Sequence, residues 1–209
     1  MRSKTIIDLY AYWDELRGRR DVPDRGQIEP AHIRTLLAEL FILERTPRVD
    51  IRFRLAGTRI CALFQRELRG SAFDALWRGE QIGRIASLAA EVMAQKMPVV
   101  LCASALAANG DQVGTEIILL PLKSPDGAVD RIVGALAPLS KPHWLEATPV
   151  NYLRLGDTRT LDTEKASLLR RDHAETSPPR TPSRLPERTF SGAIRRVLHL
   201  SVLDGGRRD

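Results

Sequence analysis

The stretch IRFRLAGTRICALFQRELRG, residues 51–70, changes its periodicity halfway along. Its first residues alternate, so that Ile51, Phe53 and Leu55 fall on one side of an extended chain, which is the pattern of a half-buried strand. After these residues the apolar positions recur at helical spacing instead. The sequence therefore predicts a strand over 51–56 that leads through a glycine joint directly into a short helix.

The residues before this stretch predict a helical lead and one more strand. Apolar residues on one helical face predict an amphipathic helix over 4–17, and Pro30 suits the first turn of a second helix over 30–38. The run LFILE, residues 40–44, is typical of a short strand, and turn residues separate it from the strand over 51–56.

A long helix and a strand meander are predicted after the short helix. Apolar residues at helical spacing predict a helix over 80–96 that ends before Pro98. Three strands within 99–139 are joined by AANGDQ and SPDG, whose turn chemistry makes neighbouring strands antiparallel. This order predicts an α+β domain with an antiparallel sheet of about five strands and helices on one face. Loose alternation in the last strands leaves open whether the N-terminal helix or a partner covers the other face.

The composition of the chain changes near residue 150. From there Pro, Ser, Thr and charged residues dominate, with too little apolar area to offset the entropy of ordering. We therefore predict a domain over 1–148, a flexible linker over 149–189, and a short amphipathic helix with a basic tail over 190–209. That last helix would be marginal alone in water, so it would form by docking or on contact with a partner.

Length and composition are those of one domain with extra chain. The protein has 209 residues and a formal net charge of +6, which is compatible with an anionic partner or with a solvated basic surface. Cys61 and Cys102 have no metal-ligand spacing and are predicted to be small buried residues. No apolar run reaches the roughly 18 residues of a membrane span, and a cytoplasmic protein without a signal peptide is expected.

The predicted order of elements resembles that of a PAS domain. The segment AGTRICALFQRELRGSAFDAL resembles the part of PAS domains in which the second strand leads into short helices, and ELRG is similar to their recurrent Glu-Leu-x-Gly. Together, YWDELRGRRDVPDRGQIEPAHIRTLL, FRLAGTRI and FDALW resemble a bacterial branch of single-PAS proteins with a helical lead. The resemblance covers about residues 8–147.

This resemblance implies a sensory or interaction module. In such domains the helices wall a cavity against the sheet, and the outer sheet face or the N-terminal helix commonly forms homodimers. The candidate ligand pocket consists of the apolar residues that would converge between helices and sheet, which are Phe53, Leu55, Phe64, Trp77 and Val92. The alternative is that these residues are ordinary core.

The resemblance also bears on cofactors. Photosensing PAS relatives carry a reactive cysteine in an Asn-Cys-Arg-Phe motif, and this chain has Ser71-Ala72-Phe73-Asp74 at that place, so a flavin adduct is not expected. Haem-binding relatives use a histidine on the long helix, and residues 80–96 contain none. No Cys/His or carboxylate cluster suggests a metal. The identity of any other cofactor stays open.

Two functions from different classes remain. No short enzyme motif occurs, so we expect no catalysis and favour a stand-alone PAS signalling or adaptor module that acts through a protein partner or a homodimer and senses a small molecule or its partners. The alternative is a basic protein that binds nucleic acid or a membrane surface. Its candidate contacts are tail arginines, among them Arg195, Arg196, Arg207 and Arg208. Acidic residues interspersed in the tail and its lack of stacking aromatics argue against that alternative.

Overall fold

A six-stranded antiparallel sheet forms the centre of the molecule. The computed structural model describes residues 1–48, 50–145 and 147–161. The strands are β1 (Leu40–Arg45), β2 (Ile51–Ala56), β3 (Val99–Ala107), β4 (Gln112–Leu122), β5 (Arg131–Pro138) and β6 (Val150–Thr160), and the α-helices are α1 (Lys4–Arg17), α2 (Thr58–Phe64) and α3 (Gln81–Gln95). The strand order is β2-β1-β5-β4-β3-β6, so β3, β4 and β5 form the predicted meander.

The joint between β2 and α2 has the predicted form. β2 ends at Ala56, Gly57 follows in extended conformation, and α2 begins at Thr58. A Cβ atom on Gly57 would come within 2.4 Å of the carbonyl oxygens of Leu37 and Ala38. Glycine is therefore required at this joint, because the preceding chain passes directly over it.

Both faces of the sheet are covered by helices. The inner face packs against α2 and α3 and forms the larger apolar core, as predicted. The outer face packs against α1 through Ile6, Leu9, Tyr10 and Trp13, which contact apolar residues of β3, β4 and β5. The N-terminal helix therefore covers part of the outer face. The sequence had left open whether this helix or a partner would do so.

The segment predicted as a helix over 30–38 is instead a series of turns. Leu36 donates its N–H to the carbonyl of Ile33 at 2.9 Å, and a 3₁₀ turn follows over Leu37–Glu39. Ile33 and Leu36, three residues apart, are buried against the outer core. Tight three-residue turns satisfy this spacing, so both side chains reach the outer core without an α-helix.

The sixth strand corrects both the strand count and the start of the predicted linker. β6 pairs with β3 from Thr160, opposite Val99, to Val150, opposite Ala107. Its apolar residues Val150, Leu153 and Leu155 are buried, whereas most of the others are exposed. A strand with one solvated face needs few apolar residues, so its composition resembles that of a linker. The rest of the predicted linker and the segment 190–209 lie outside the described residues.

The two longest α-helices are short by the standard of membrane spans. α1 has 14 residues and α3 has 15. Within the ranges that the structure describes, no helix is long and apolar enough to cross a bilayer.

Candidate functional site

The Glu-Leu-x-Gly segment, residues 67–70, fastens the loop after α2 to β2. The Glu67 carboxylate accepts the backbone N–H of Arg69 at 2.9 Å, and this hydrogen bond is the main cause that lowers the pKa of Glu67 from its ordinary value of 4.5. Leu68 is fully buried. Gly70 has a φ of +80° and donates its N–H to the Phe53 carbonyl at 2.7 Å. The segment therefore positions the chain that follows it beside the inner core.

Four aromatic rings meet in the inner core between the sheet and the helices. The ring centroids of Phe41 and Phe53 are 5.7 Å apart, and Phe73 lies 5.9 Å from Phe41 and 5.7 Å from Phe53. Trp77 lies 6.4 Å from Phe73 in an edge-on arrangement. These separations are those of favourable aromatic pairs, each worth about 0.5–1.5 kcal/mol beyond the area it buries. Protein side chains therefore occupy this part of the space between the helices and the sheet.

Four of the five predicted pocket residues lie together in this inner core. Phe53, Phe64, Trp77 and Val92 are each less than 5% exposed and belong to one apolar cluster. Leu55 is 46% exposed and does not join them.

Leu55 was predicted to line the pocket but lies outside it, and the cause is local. In the pairing of β1 with β2, Ile42 lies opposite Leu55, whereas the next residue, Leu43, lies opposite Phe53. Arg54 is therefore an extra residue, a β-bulge, and it shifts the alternation by one position. Leu55 is placed on the outer face for this reason, although perfect alternation would put it beside Phe53.

Trp77 carries a polar group into the inner core. Its side chain is 3% exposed, and its indole Nε1 has no hydrogen-bond partner among the described residues. A buried donor without an acceptor costs about 1–3 kcal/mol. This N–H is therefore an unsatisfied donor among the predicted pocket residues.

The two cysteines lie in different surroundings, and Cys61 packs against the inner core. Cys61 lies on α2, where its Sγ is 3.9 Å from the Ala56 carbonyl oxygen and 3.8 Å from Glu67 Oε1. Cys102 lies on β3 opposite Glu116. Both are half-buried rather than fully buried. In the described part of the chain, no group of three or more His, Cys, Asp or Glu residues is arranged to hold a metal ion.

Helix α1 is attached to β4 by polar contacts at two places. The buried Glu116 carboxylate accepts the backbone N–H groups of Arg2 at 2.8 Å and Ser3 at 2.9 Å, immediately before the helix begins. Further along α1, the Trp13 indole donates to the carbonyl of Pro121 at 2.9 Å. Because both acceptors belong to β4, the position of α1 depends on that strand.

Each edge strand of the sheet is bonded in part by the chain itself. The free edge of β2 bonds to residues 70–73, with Phe73 donating its N–H to the Ile51 carbonyl at 2.9 Å. At β6 the side-chain amide of Gln81 accepts the N–H of Leu155 at 2.8 Å and donates to its carbonyl at 3.3 Å. The amide thus replaces a neighbouring strand at this point.

Sequence reasoning missed Glu116 and Gln81. A signal for Glu116 was present, because it is the one charged residue in VGTEIILLPL. Gln81 carries no signal, since its role depends on how α3 lies against β6. The predicted tail contacts, Arg195, Arg196, Arg207 and Arg208, lie outside the described residues.

Comparison with solved structures finds light-oxygen-voltage (LOV) domains. One, studied with a flavin analogue, is 11% identical with a TM-score of 0.42 and covers 70% of this chain and 94% of that one. The light state of the Aureochrome1 LOV domain is 13% identical, with a TM-score of 0.40 and coverage of 55% and 91%. A LOV protein from Rhodobacter sphaeroides is 14% identical, with a TM-score of 0.41 and coverage of 51% and 61%.

Comparison with sequence families gives the assignment. No curated protein matches the chain. A family model described as a PAS domain matches residues 1–137, which include α1, α2, α3, the first four strands and all but the last residue of β5. Because this match spans well over half of the chain, the protein belongs to the PAS domain family, a family of signalling sensor modules.

Proposed function

We propose that this PAS protein is a cytoplasmic signalling or adaptor module that senses a small ligand or the state of a partner and passes this state on through protein contacts. The observation that carries the proposal is that β4 is shared by two cores. Ile117 and Leu119 of this strand belong to the inner core, whereas Ile118 and Leu120 belong to the outer core under α1. A shift of the inner core therefore acts on the strand that holds α1.

The sensing site in this proposal is the inner cluster of Phe53, Phe64, Trp77 and Val92. Its apolar surroundings favour an uncharged ligand body, and the Trp77 N–H favours a ligand with one acceptor oxygen or nitrogen. Since aromatic rings already pack there, a ligand would enter by displacing rings rather than by filling a large empty cavity.

The output surface in this proposal is α1 together with the part of the outer sheet beside it. Residues 70–73 bond to the edge of β2 and Gln81 bonds to Leu155 of β6, which hinders the addition of a partner strand at those positions. A partner protein or a second copy would therefore contact a face, and Ile7 on α1 is a large apolar residue that is 44% exposed.

The test is native mass spectrometry of the protein purified from its own host, at gentle and at denaturing settings. The expected result is a reproducible extra mass that departs on denaturation, or a second protein chain that does so. The Trp77→Phe variant removes the inner N–H, and we expect it to lose a small-ligand mass. The matched Trp13→Phe variant removes the bond from α1 to Pro121, and we expect it to keep the ligand and to change the oligomeric or partner state.

A bare monomer in the wild type and in both variants would contradict the proposal. A ligand retained equally by Trp77→Phe would move the sensing site elsewhere. A partner state that Trp13→Phe leaves unchanged would exclude α1 as the output element.

A further inference from the structure

A second concave site lies at the edge of the aromatic cluster and shares Phe73 with it. It is a cleft of about 250 Å³ between the start of β2, the turn at Asp74–Leu76 and α3. Its apolar lining comes from Ile51, Ala72, Phe73, Ala86 and Ala89, and Ala72 and Ala86 are the more exposed members, because the other three are less than 9% exposed.

The charges that line this cleft do not balance. The Arg52 guanidinium donates to the Gly70 carbonyl at 3.0 Å and to Asp50 Oδ2 at 3.2 Å, so Asp50 and Arg52 neutralise each other. Asp74 also lines the cleft and is half-buried, and its carboxylate makes no hydrogen bond or ion pair with another described residue. One negative charge therefore faces the cleft without a described counter-charge.

We propose that this cleft binds a small organic cation, namely an ammonium group on an apolar body. The ammonium would donate to the Asp74 carboxylate in a charge-assisted hydrogen bond, and the body would cover Ile51 and Ala86. Drug-sized ligands occupy pockets of about 300–1,000 Å³, so a cleft of this volume suits a smaller, fragment-sized amine. This site is separate from the inner cluster in the proposed function and gives the protein a ligand class of its own.

A ligand in the cleft would lie next to a residue of the inner core. Phe73 lines the cleft, and its ring contacts Phe41, Phe53 and Trp77 at centroid distances of 5.7–6.4 Å. The Phe73 N–H is also bonded to Ile51, another lining residue, at 2.9 Å. An amine that rests on these residues therefore contacts a side chain that packs against the candidate sensing site.

The experiment compares three probes that share one ring and differ in head group. These are 2-phenylethylamine, 2-phenylethanol and phenylacetate, measured on the full chain by ligand-observed NMR and by calorimetry. We expect the amine to bind about tenfold or more tightly than either other probe, because only the amine can donate a charge-assisted hydrogen bond to the Asp74 carboxylate. Asp74→Asn should reduce the amine's affinity to that of the alcohol, and Asp74→Glu should restore most of it.

Two further variants locate the binding. Ala86→Leu fills the cleft without changing charge, and we expect it to abolish binding of the amine. Glu15→Gln removes an exposed carboxylate on α1, and the affinity should stay as in the wild type.

Several results would overturn the proposal. These are equal affinity for all three probes, tighter binding of phenylacetate, no binding of the amine at millimolar concentration, and an Asp74→Asn variant that keeps the wild-type affinity and circular dichroism. The native-mass measurement on Trp77→Phe is independent of these results, so either site can fail alone.

Discussion

At the scale of single residues, Gly134 determines how the aromatic cluster packs on the sheet. Gly134 on β5 lies opposite Phe41 on β1, and a Cβ atom there would be 2.3 Å from the Phe41 ring and 2.5 Å from the Ile118 carbonyl oxygen. We expect Gly134→Ala to displace this ring and to lower the free energy of unfolding by about 1–3 kcal/mol, the usual cost of overpacking. Urea denaturation followed by fluorescence measures this loss.

Gly114 supplies the matched control on the neighbouring strand. A Cβ atom at Gly114 would lie 3.5 Å from Leu139 Cδ1, which is an ordinary contact. We therefore expect Gly114→Ala to change the free energy of unfolding by less than about 1 kcal/mol. Equal losses in the two variants would show that the loss comes from alanine in a strand and not from the Phe41 ring.

The Glu-Leu-x-Gly segment gives a pH dependence with a definite sign. The hydrogen bond from the Arg69 N–H lowers the pKa of Glu67 in the folded protein below 4.5. The charged carboxylate therefore stabilises the fold above pH 4.5, and this stabilisation is lost as the pH falls through the lowered pKa. We expect the difference in melting temperature between wild type and Glu67→Gln to be full near about pH 6 and to shrink in acid. A difference that grows on acidification would contradict this.

Phe53 and Leu55, two positions apart in β2, show what could and could not be predicted from the sequence for single residues. Phe53 is buried as its alternation predicts, and Leu55 is exposed because Arg54 forms a bulge. The bulge arises from how β2 pairs with β1, and this pairing leaves no trace in the local sequence IRFRLA. The burial of Phe53, Phe64, Trp77 and Val92 could therefore be predicted from the sequence, whereas the exposure of Leu55 could not.

At the scale of elements, Glu116 controls how the start of α1 is held. Its carboxylate accepts two backbone N–H groups that Glu116→Ala would leave without this acceptor. We expect that variant to lose about 1–3 kcal/mol of stability. Hydrogen exchange should become faster in the first turn of α1 and stay slow in β3 and β5.

A variant on the exposed side of α1 serves as control for this prediction. Asp8 pairs with Lys4 on the surface of the helix, and Asp8→Asn should leave the exchange of the first turn nearly unchanged, since such pairs contribute little. If the first turn exchanges equally slowly in Glu116→Ala and in the wild type, then the apolar residues alone hold α1 on the sheet.

Helices and strands with a clear local periodicity of apolar residues could be predicted from the sequence. Elements that depend on pairing or packing with distant residues could not. α1, α2, α3 and the first five strands lie where periodicity and turn residues placed them. β6 has only three buried apolar residues, Val150, Leu153 and Leu155, and is stabilised by its pairing with β3, a contact about 50 residues away in sequence. The turns over 30–38 likewise follow from packing under α1 and not from helix propensity.

At the scale of the whole molecule, the sheet presents faces rather than edges. α2 and α3 cover one face, α1 covers part of the other, and both edges are bonded by the chain itself. In the proposed function, the signal therefore leaves through a face or through a helix on a face. The shared strand β4 and the outer helix α1 satisfy this condition, which is why the proposed output relies on them.

The pairing of β6 with β3 predicts that the folded unit requires the residues after 148. A chain of residues 1–161 keeps β6, whereas one of residues 1–148 loses Val150, Leu153 and Leu155 and leaves the edge of β3 unpaired. Each of these buried side chains contributes about 1.5–3 kcal/mol, and their sum approaches the whole stability of an ordinary domain, about 5–15 kcal/mol. We therefore expect the 1–161 protein to melt cooperatively. The 1–148 protein should be unfolded or aggregated at 25 °C by circular dichroism and size exclusion, and a cooperative 1–148 protein with the same melting temperature would show that β6 is dispensable.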